Sequence, residues 1–216
     1  MSPSSSRSLS FSSLLLLGAL LCGCPEAPAS SGDAAAEGAK PKAGAIKIKN
    51  GAGKVAYRIK VKSDGYKISD AKSKERFRVK LKKTALKVKD PQDKVVAYVN
   101  TDGKKFKIKD PKGKAVLFVL RRQADGDWKL ETGKDKLVCK LKKRKYGWEA
   151  KTGAGKELYK AKLKSGKTSL RDAKDATQHY TKSSVKTLAF ACLGLPQLSE
   201  AQRLGLMLLV QKTKTP

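Results

Sequence analysis

The sequence is poor in the residues from which most metal and catalytic sites are built. It has one histidine, His179, and four cysteines among 216 residues. These cannot supply a typical zinc site, and no compact acidic loop indicates a calcium site. We therefore expect no metal, no other cofactor and no catalytic residue, and we interpret the protein as a non-enzymatic one.

Acidic residues are also scarce. There are 19 Asp and Glu against 49 Lys and Arg, which gives a formal net charge of +30. A field this positive attracts phosphates, anionic lipid headgroups and acidic polymers, and the charge exceeds what solubility requires. For any single lysine, a solvated outer face remains the simpler interpretation.

Long hydrophobic runs are absent from the N-terminal part. Residues 14–21 belong to a run of about ten apolar residues, whereas a spanning helix needs roughly 20. The run ends in Leu-Cys-Gly-Cys at residues 21–24, which resembles the lipobox of bacterial lipoproteins. The resemblance implies a signal peptide over residues 1–23 and acylation of Cys24. It also implies an exported, membrane-anchored protein, at the periplasmic face of a membrane or at the cell surface. A plain secretory signal cleaved nearby is the alternative.

Three further segments follow the signal. Residues 24–45 are rich in Ala, Gly, Pro and Ser without a hydrophobic period, so we interpret them as a flexible tether. Residues 46–167 repeat, and residues 168–216 do not. We expect both to belong to one folded domain.

A twenty-residue repeat occupies the middle of the sequence. Its copies begin at Ile46, Tyr66, Leu86 and Phe106, with looser ones at Trp128 and Trp148. Each copy opens with alternating apolar and charged residues, the pattern of a half-buried strand. An Asx, Pro and Gly turn follows, which explains the recurring aspartates without acid–base chemistry, and a second strand closes the unit. Six hairpins, or twelve short antiparallel strands, predict a barrel or sandwich.

The alternation assigns each strand an apolar inner face and a lysine-rich outer face. Exposed lysines also discourage edge-to-edge association of sheets. The predicted inner set is Ile46, Ile48, Tyr57, Ile59, Val61, Tyr66, Ile68, Phe77, Val79, Leu86, Val88, Phe106, Ile108, Trp128, Leu130, Cys139, Leu141 and Trp148.

The last third of the sequence changes character. Residues 168–184 are polar, and we interpret them as a loop that exposes His179. Residues 185–195 are nearly all apolar but too short to span a bilayer, so we expect a helix buried inside the barrel. Contact of this C-terminal tail with the membrane is the alternative. The sequence Ser-Glu-Ala-Gln at residues 199–202 has the form of a capping box and predicts a second helix through about residue 211.

The hairpin count, the Asp-x-x-Gly turns and the apolar C-terminal segment together resemble the tubby C-terminal-like superfamily. This group includes tubby, phospholipid scramblase and the LURP-one-related proteins. The likeness extends over residues 46–195 and is clearest over residues 66–116. It implies a mainly β fold, a twelve-stranded antiparallel barrel threaded by a C-terminal helix. Tubby-type members bind phosphoinositides through basic residues, but no motif here assigns that role to particular positions.

Two cysteines remain after Cys22 and Cys24 are assigned to the signal and the lipid. Cys139 shares the inner face, and Cys192 lies on the predicted central helix, so the two could meet across the core. A disulfide in an oxidising compartment and a pair of buried thiols both stay open.

Basic clusters are the candidate anion-binding residues. Each Lys or Arg near an anionic membrane contributes about 1 kcal/mol of attraction. The candidates are Lys80, Lys82, Lys83, Arg121, Arg122, Lys140, Lys142, Lys143, Arg144 and Lys145.

The third and fourth repeats also carry apolar residues on the nominal outer face. They are Val96, Tyr98, Val116, Phe118 and Leu120. A contiguous exposed patch would be a site for a protein partner. Equally, the second helix could cover it.

Two functions are consistent with these features. The first is a lipid-anchored envelope protein whose lysine-rich barrel binds anionic phospholipid or an acidic polymer. The alternative is a structural lipoprotein that docks a protein partner and uses its charge for solubility. Nucleic acid is disfavoured, because the protein is expected to be exported and has few outward aromatic residues for base stacking.

Overall fold

The computed structural model describes residues 45–213. The predicted signal peptide, the lipidation of Cys24 and the tether up to residue 44 lie outside the described residues. The described residues 45–213 belong to one compact unit, and its buried hydrophobic core extends from Ile48 to Val210. This part of the chain therefore carries its own core.

Fourteen strands follow one another along the chain. They are β1 (Ile46–Asn50), β2 (Val55–Lys62), β3 (Gly65–Ser69), β4 (Glu75–Leu81), β5 (Ala85–Lys89), β6 (Val95–Thr101), β7 (Lys105–Lys109), β8 (Val116–Arg122), β9 (Trp128–Thr132), β10 (Leu137–Arg144), β11 (Gly147–Thr152), β12 (Glu157–Lys164), β13 (Lys167–Asp172) and β14 (Thr177–Thr181). Each pairs antiparallel with its sequence neighbours, and β1 pairs with β14 to close the barrel. The predicted antiparallel barrel is confirmed, with fourteen strands rather than twelve.

The two additional strands form a seventh hairpin, β13–β14, so the prediction of a polar loop over residues 168–184 is wrong for most of this segment. The inward positions of this hairpin include threonines instead of aliphatic residues, which hides the strand pattern. Thr181 is 1% exposed and donates its hydroxyl to the carbonyl of Lys47 at 2.8 Å. Thr168 donates to the carbonyl of Val185 at 3.4 Å. His179 consequently lies half-buried on β14 and not in an exposed loop.

The predicted turns are confirmed, and their first residue organises each one. The Asp90 carboxylate accepts the backbone N–H groups of Gln92 and Lys94 at 3.0 and 2.9 Å. Asn50 accepts the N–H of Lys54 at 2.9 Å in the first turn. These bonds satisfy donors that the strand ladder leaves free.

The inner face largely matches the prediction. Most of the predicted core residues are fully buried, and Ile46, Tyr57, Tyr66 and Phe77 are partly buried against the core. Val61 is the exception, because it is 55% exposed. It lies one residue before the end of β2, beyond the depth that the core fills.

Two helices fill the interior of the barrel. The first, α1 (Thr187–Ala191), continues into a 3₁₀ turn at Cys192–Gly194 and packs against β11, β12 and β13. The second, α2 (Glu200–Lys212), packs against α1 and against β5, β6 and β7, on the opposite wall. The buried first helix is confirmed, although it is shorter than residues 185–195.

The second helix also lies inside the barrel, so the alternative in which it covers the outer face is wrong. Its residues Leu204 and Leu206 through Val210 are at most 1% exposed. Ser199 accepts the N–H of Gln202 at 3.3 Å, and the Gln202 side chain accepts the N–H of Ser199 at 2.9 Å, which is the predicted capping box. Within residues 45–213, no helix is long and apolar enough to cross a bilayer.

The cysteines Cys139 and Cys192 are buried free thiols. Burial raises the pKa of Cys139 to about 12. Burial, followed by the charge of Cys139, raises the pKa of Cys192 still further above its ordinary value.

Removing one turn carboxylate should destabilise the barrel. Asp90→Ala leaves two backbone N–H groups without their acceptor, and we expect a loss of about 1–2 kcal/mol in the free energy of unfolding. Asp90→Asn is the matched control, because Asn50 performs the same role in the first turn, and should lose much less. Urea unfolding monitored by tryptophan fluorescence measures both; equal losses would contradict the assigned role of the side chain.

A bulky residue at Gly205 should test the interior position of α2. A Cβ at Gly205 would lie 2.9 Å from Val88 Cγ2 and 3.2 Å from Leu86 Cδ1. Gly205→Leu should therefore cost about 1–3 kcal/mol by overpacking, despite the better helix propensity of leucine. The exposed Lys212→Ala, on the same helix, should change the urea midpoint little. An unchanged midpoint for Gly205→Leu would place α2 elsewhere.

The two core thiols should be unreactive in the folded protein. Since the thiolate is the reactive form, a maleimide should label Cys139 and Cys192 only after denaturation. Peptide mapping by mass spectrometry identifies the labelled cysteine. Rapid labelling of the native protein, or a disulfide-linked peptide pair before reduction, would contradict the two buried free thiols.

Candidate anion-binding surface

The alternating strand directions give the barrel two distinct ends. We call the end where β1 begins the basic rim; it comprises residues 62–65, 81–85, 101–105, 122–128, 144–147, 164–167, 181–187 and 212–213. The other end, the Asx rim, comprises residues 50–55, 69–75, 89–95, 109–116, 132–137, 152–157, 172–177 and 194–200.

Charge is distributed unevenly between the two rims. The basic residues of the basic rim are Lys62, Lys82, Lys83, Lys104, Lys105, Arg122, Arg144, Lys145, Lys164, Lys167, Lys182, Lys186 and Lys212. Its acidic residues are Asp64, Asp102, Asp125 and Asp127. The basic rim thus has thirteen positive against four negative side chains, whereas the Asx rim has twelve against ten.

Acidic partners also differ between the rims. On the Asx rim, Glu75 lies 2.8 Å from Lys67 and 2.9 Å from Arg78, and Asp93 lies 2.6 Å from Lys89. On the basic rim, Asp125 and Asp127 accept backbone N–H groups, and ion pairs join Lys105 to Asp102 at 3.7 Å and Arg144 to Glu149 at 2.8 Å. The ammonium groups of the basic rim are therefore less neutralised by the protein itself.

Five of the ten candidate residues lie within the basic rim. They are Lys82, Lys83, Arg122, Arg144 and Lys145. Arg121 and Lys143 are each one residue inside it, and Lys80, Lys140 and Lys142 lie on the walls of β4 and β10. The structure thus brings most of the candidates to one end, but spreads them around its circumference and not into a single pocket.

A row of basic residues crosses the outer wall below the rim. Arg121 is directly opposite Lys129, Lys129 opposite Lys140, and Lys140 opposite Lys151 across four strands. Directly opposite side chains have Cβ atoms about 4.5–5.5 Å apart, and like charges in such positions repel each other. A bound anion between them would relieve this repulsion.

The two ends of this row are neutralised and its centre is not. Arg121 lies 3.5 Å from Glu131 and 3.6 Å from Asp135. At the other end Lys151 lies 3.3 Å from Glu149. The central Lys129 and Lys140 have no acidic side chain within 4 Å among the described residues.

Glu149 is the buried acid of this wall. Burial disfavours its charge, but hydrogen bonds from Arg144 and Lys151 outweigh burial and hold its pKa below the ordinary value. Its carboxylate lies 2.8 Å from the Arg144 guanidinium. Arg144 is therefore engaged within the protein, as Arg121 is, and both are less available than the unpaired lysines among the candidates.

Sequence reasoning missed Lys129 and Lys62. Lys129 has no basic neighbour in the sequence, and only the register between β8, β9 and β10 places it in the row. Lys62 ends β2 at the basic rim. The period-2 alternation assigns both residues correctly to the exterior, but it does not show which strand lies beside them.

The apolar patch expected in the third and fourth repeats is divided between two faces. Phe118 and Leu120 lie opposite Ile108 and Phe106, so they point inward, and Leu120 is fully buried. Tyr98 faces outward, where Lys87 lies 5.1 Å from the centre of its ring. The interpretation of a contiguous exposed patch is wrong because β8 shifts register near Val116.

A small cavity opens at the Asx rim and contains the only histidine. It has a volume of about 30 Å³ and is lined by Tyr57, His179, Glu200 and Arg203, among others. Burial lowers the pKa of His179, with a smaller contribution from Arg203, and burial beside Glu200 raises the pKa of Tyr57 to about 12. This volume matches one water molecule and does not accommodate an organic substrate.

Metal coordination finds no support in the described part of the chain. Within residues 45–213, no group of three or more His, Cys, Asp or Glu side chains could hold a metal ion.

Comparisons with known proteins leave the family open. No family model and no curated protein matches the chain. Among solved structures, an X-ray structure of a protein from Arabidopsis thaliana matches with a TM-score of 0.37 and 15% sequence identity, covering 72% of this chain and 90% of the Arabidopsis chain. A likeness at this level assigns neither a family nor a function to the chain.

Proposed function

We propose that the protein is a lipid-anchored envelope protein whose basic barrel surface binds anionic lipid headgroups or an acidic envelope polymer, without catalysing a reaction. The anchor would be an acylated Cys24, and the protein would lie at the periplasmic face of a membrane or at the cell surface. The observation that carries the proposal is the excess of positive charge on the basic rim, thirteen side chains against four.

The charge of the basic rim is available to an external ligand, which supports a role in binding more than a role in solubility. A solubilising charge would serve equally well at either end, yet the Asx rim is nearly balanced and much of its charge is paired. Lys82, Lys83 and Lys145 are exposed and have no acidic partner among the described residues. Anionic headgroups and polymers share the phosphate or carboxylate chemistry that such ammonium groups attract.

Membrane attachment would strengthen this weak attraction. Charges in water are screened over about 8–10 Å at physiological ionic strength, so the rim must be held near the bilayer to act on it. An anchor at Cys24 would supply that proximity. Lipidation of Cys24 and the charge of the basic rim would thus act together, because neither one alone gives firm attachment to the membrane.

Neutralising the basic rim should weaken binding to anionic vesicles. At about 1 kcal/mol for each lysine, Lys82→Gln/Lys83→Gln/Lys145→Gln should reduce the affinity of fragment 39–216 by up to about 100-fold. Co-sedimentation with phosphatidylcholine vesicles that contain increasing phosphatidylglycerol measures the affinity. Binding should rise with anionic lipid content and fall with added salt.

The matched control changes the same net charge on the other rim. Lys54→Gln/Lys112→Gln/Lys156→Gln removes three exposed lysines of the Asx rim and should have a small effect. Equal losses from the two triple variants would contradict a binding surface at the basic rim. Polyphosphate in place of vesicles distinguishes a lipid ligand from a polymer ligand. Binding to polyphosphate but not to vesicles would identify an acidic polymer as the ligand. No salt-sensitive binding to either would contradict the proposal.

A further inference from the structure

The structure exposes three large apolar side chains, and two of them lie one residue inside the basic rim. Among the described residues these are Val61, Leu117 and Leu163, with 55%, 36% and 51% of their surface exposed. Val61 is the penultimate residue of β2 and Leu163 that of β12. Both strands end at the basic rim, whereas Leu117 lies near the start of β8, towards the other end.

The two rim residues share their local sequence and their orientation. Lysines flank each one, as Lys60 and Lys62 flank Val61 and as Lys162 and Lys164 flank Leu163. Each continues the inward alternation of its strand, Val61 after Ile59 and Leu163 after Ala161. They therefore lie towards the mouth of the barrel, while the neighbouring lysines point outward, where Lys162 pairs with Asp175 at 2.7 Å.

Their separation suits a flat surface. Between β2 and β12 lie β1, β14 and β13 in the closed barrel, which is four strand spacings, or roughly 20 Å along the wall. A narrow groove for a single small ligand would not extend over that distance. Two apolar side chains surrounded by lysines at one end of a barrel match the chemistry of a bilayer interface, with anionic headgroups above and acyl chains beneath.

The course of the chain points to the same end. β1 begins at Ile46 on the basic rim, between β2 and β14, so the residues that precede it join the barrel there. An anchor at Cys24 would thus be connected to the barrel at this rim. Val61 lies on the strand directly next to β1.

We infer that the barrel docks end-on against an anionic bilayer, with its basic rim in the headgroup layer and with Val61 and Leu163 inserted among the lipids. This inference rests on the proposed function and adds to it the occupant, the orientation and the inserted residues. An acidic polymer would engage the lysines but offers no apolar layer for the two side chains.

Tryptophan substitution tests the insertion directly. Val61→Trp and Leu163→Trp in fragment 39–216 should each show a blue-shifted emission on anionic vesicles, and brominated phospholipid should quench it. Ala52→Trp, at an exposed position of the Asx rim, is the matched control and should show neither change. The native Trp128 and Trp148 are 2% and 8% exposed, so the wild-type fragment supplies a background with little quenching.

Removal of the apolar side chains tests their contribution to affinity. Val61→Ser/Leu163→Ser should weaken binding about tenfold, because the exposed half of each apolar side chain would no longer be there to move from water into lipid. This loss of affinity should persist in high salt. Leu117→Ser, the third exposed apolar residue, should bind like the wild type.

The outcomes separate this inference from the proposed function. If the wild-type fragment binds anionic vesicles but the tryptophans at positions 61 and 163 are not quenched, end-on insertion is overturned while electrostatic binding stands. Equal loss from Leu117→Ser and the double variant would likewise overturn it. If the wild type binds polyphosphate and no vesicle, or binds neither, the inference fails.

Discussion

Closure of the sheet around two apolar helices is the constraint on which the rest of the structure depends. A closed barrel has no free strand edge, and here α1 and α2 supply apolar surface to opposite walls of the interior. The inward positions that face these helices are mostly apolar, because a buried polar group without a hydrogen bond costs free energy, although the buried Tyr159 hydroxyl has no partner among the described residues. The charge of the chain is consequently confined to the outer wall and the two rims, where it acts on the surroundings.

The difference between the rims follows from the chemistry of their turns. Each turn of the Asx rim starts with Asn, Asp or Thr, whose side chain accepts backbone N–H groups, and several have an aspartate at positive φ, such as Asp93 at 64°. Where the first residue is Asp, as in four of the seven turns, the turn also adds a carboxylate that offsets the charge of nearby lysines. At the basic rim, Asp102 and Asp125 accept backbone N–H groups in the same way. The connections over residues 81–85, 144–147 and 164–167 contain no carboxylate, however, so fewer carboxylates accompany the lysines of this rim. Turn composition thus contributes to the difference between a strongly basic end and a nearly balanced one.

The barrel can be predicted from the sequence because each repeat combines the alternation of a half-buried strand with the residues of a turn. The sequence does not predict the seventh hairpin, because its buried residues Thr168, Ser169 and Thr181 are polar. The alternation of apolar and charged residues that identifies the other strands is therefore missing there. The sequence also fails for Lys129, since a cross-strand neighbour depends on register, which several irregularities shift by one residue. The candidate surface could be predicted as a set of lysines but not as one end of the barrel, because strand direction becomes informative only when closure is known.

The chain enters the barrel at Ile46 and leaves α2 at Lys212, both on the same rim. A short linker between these points would therefore make a circular chain without crossing the barrel, and the chain could be reopened at any turn of the opposite end. Permuted proteins of this kind would keep every strand pairing but carry their new ends, and any fluorescent fusion partner attached there, on the side away from the lysine-rich face.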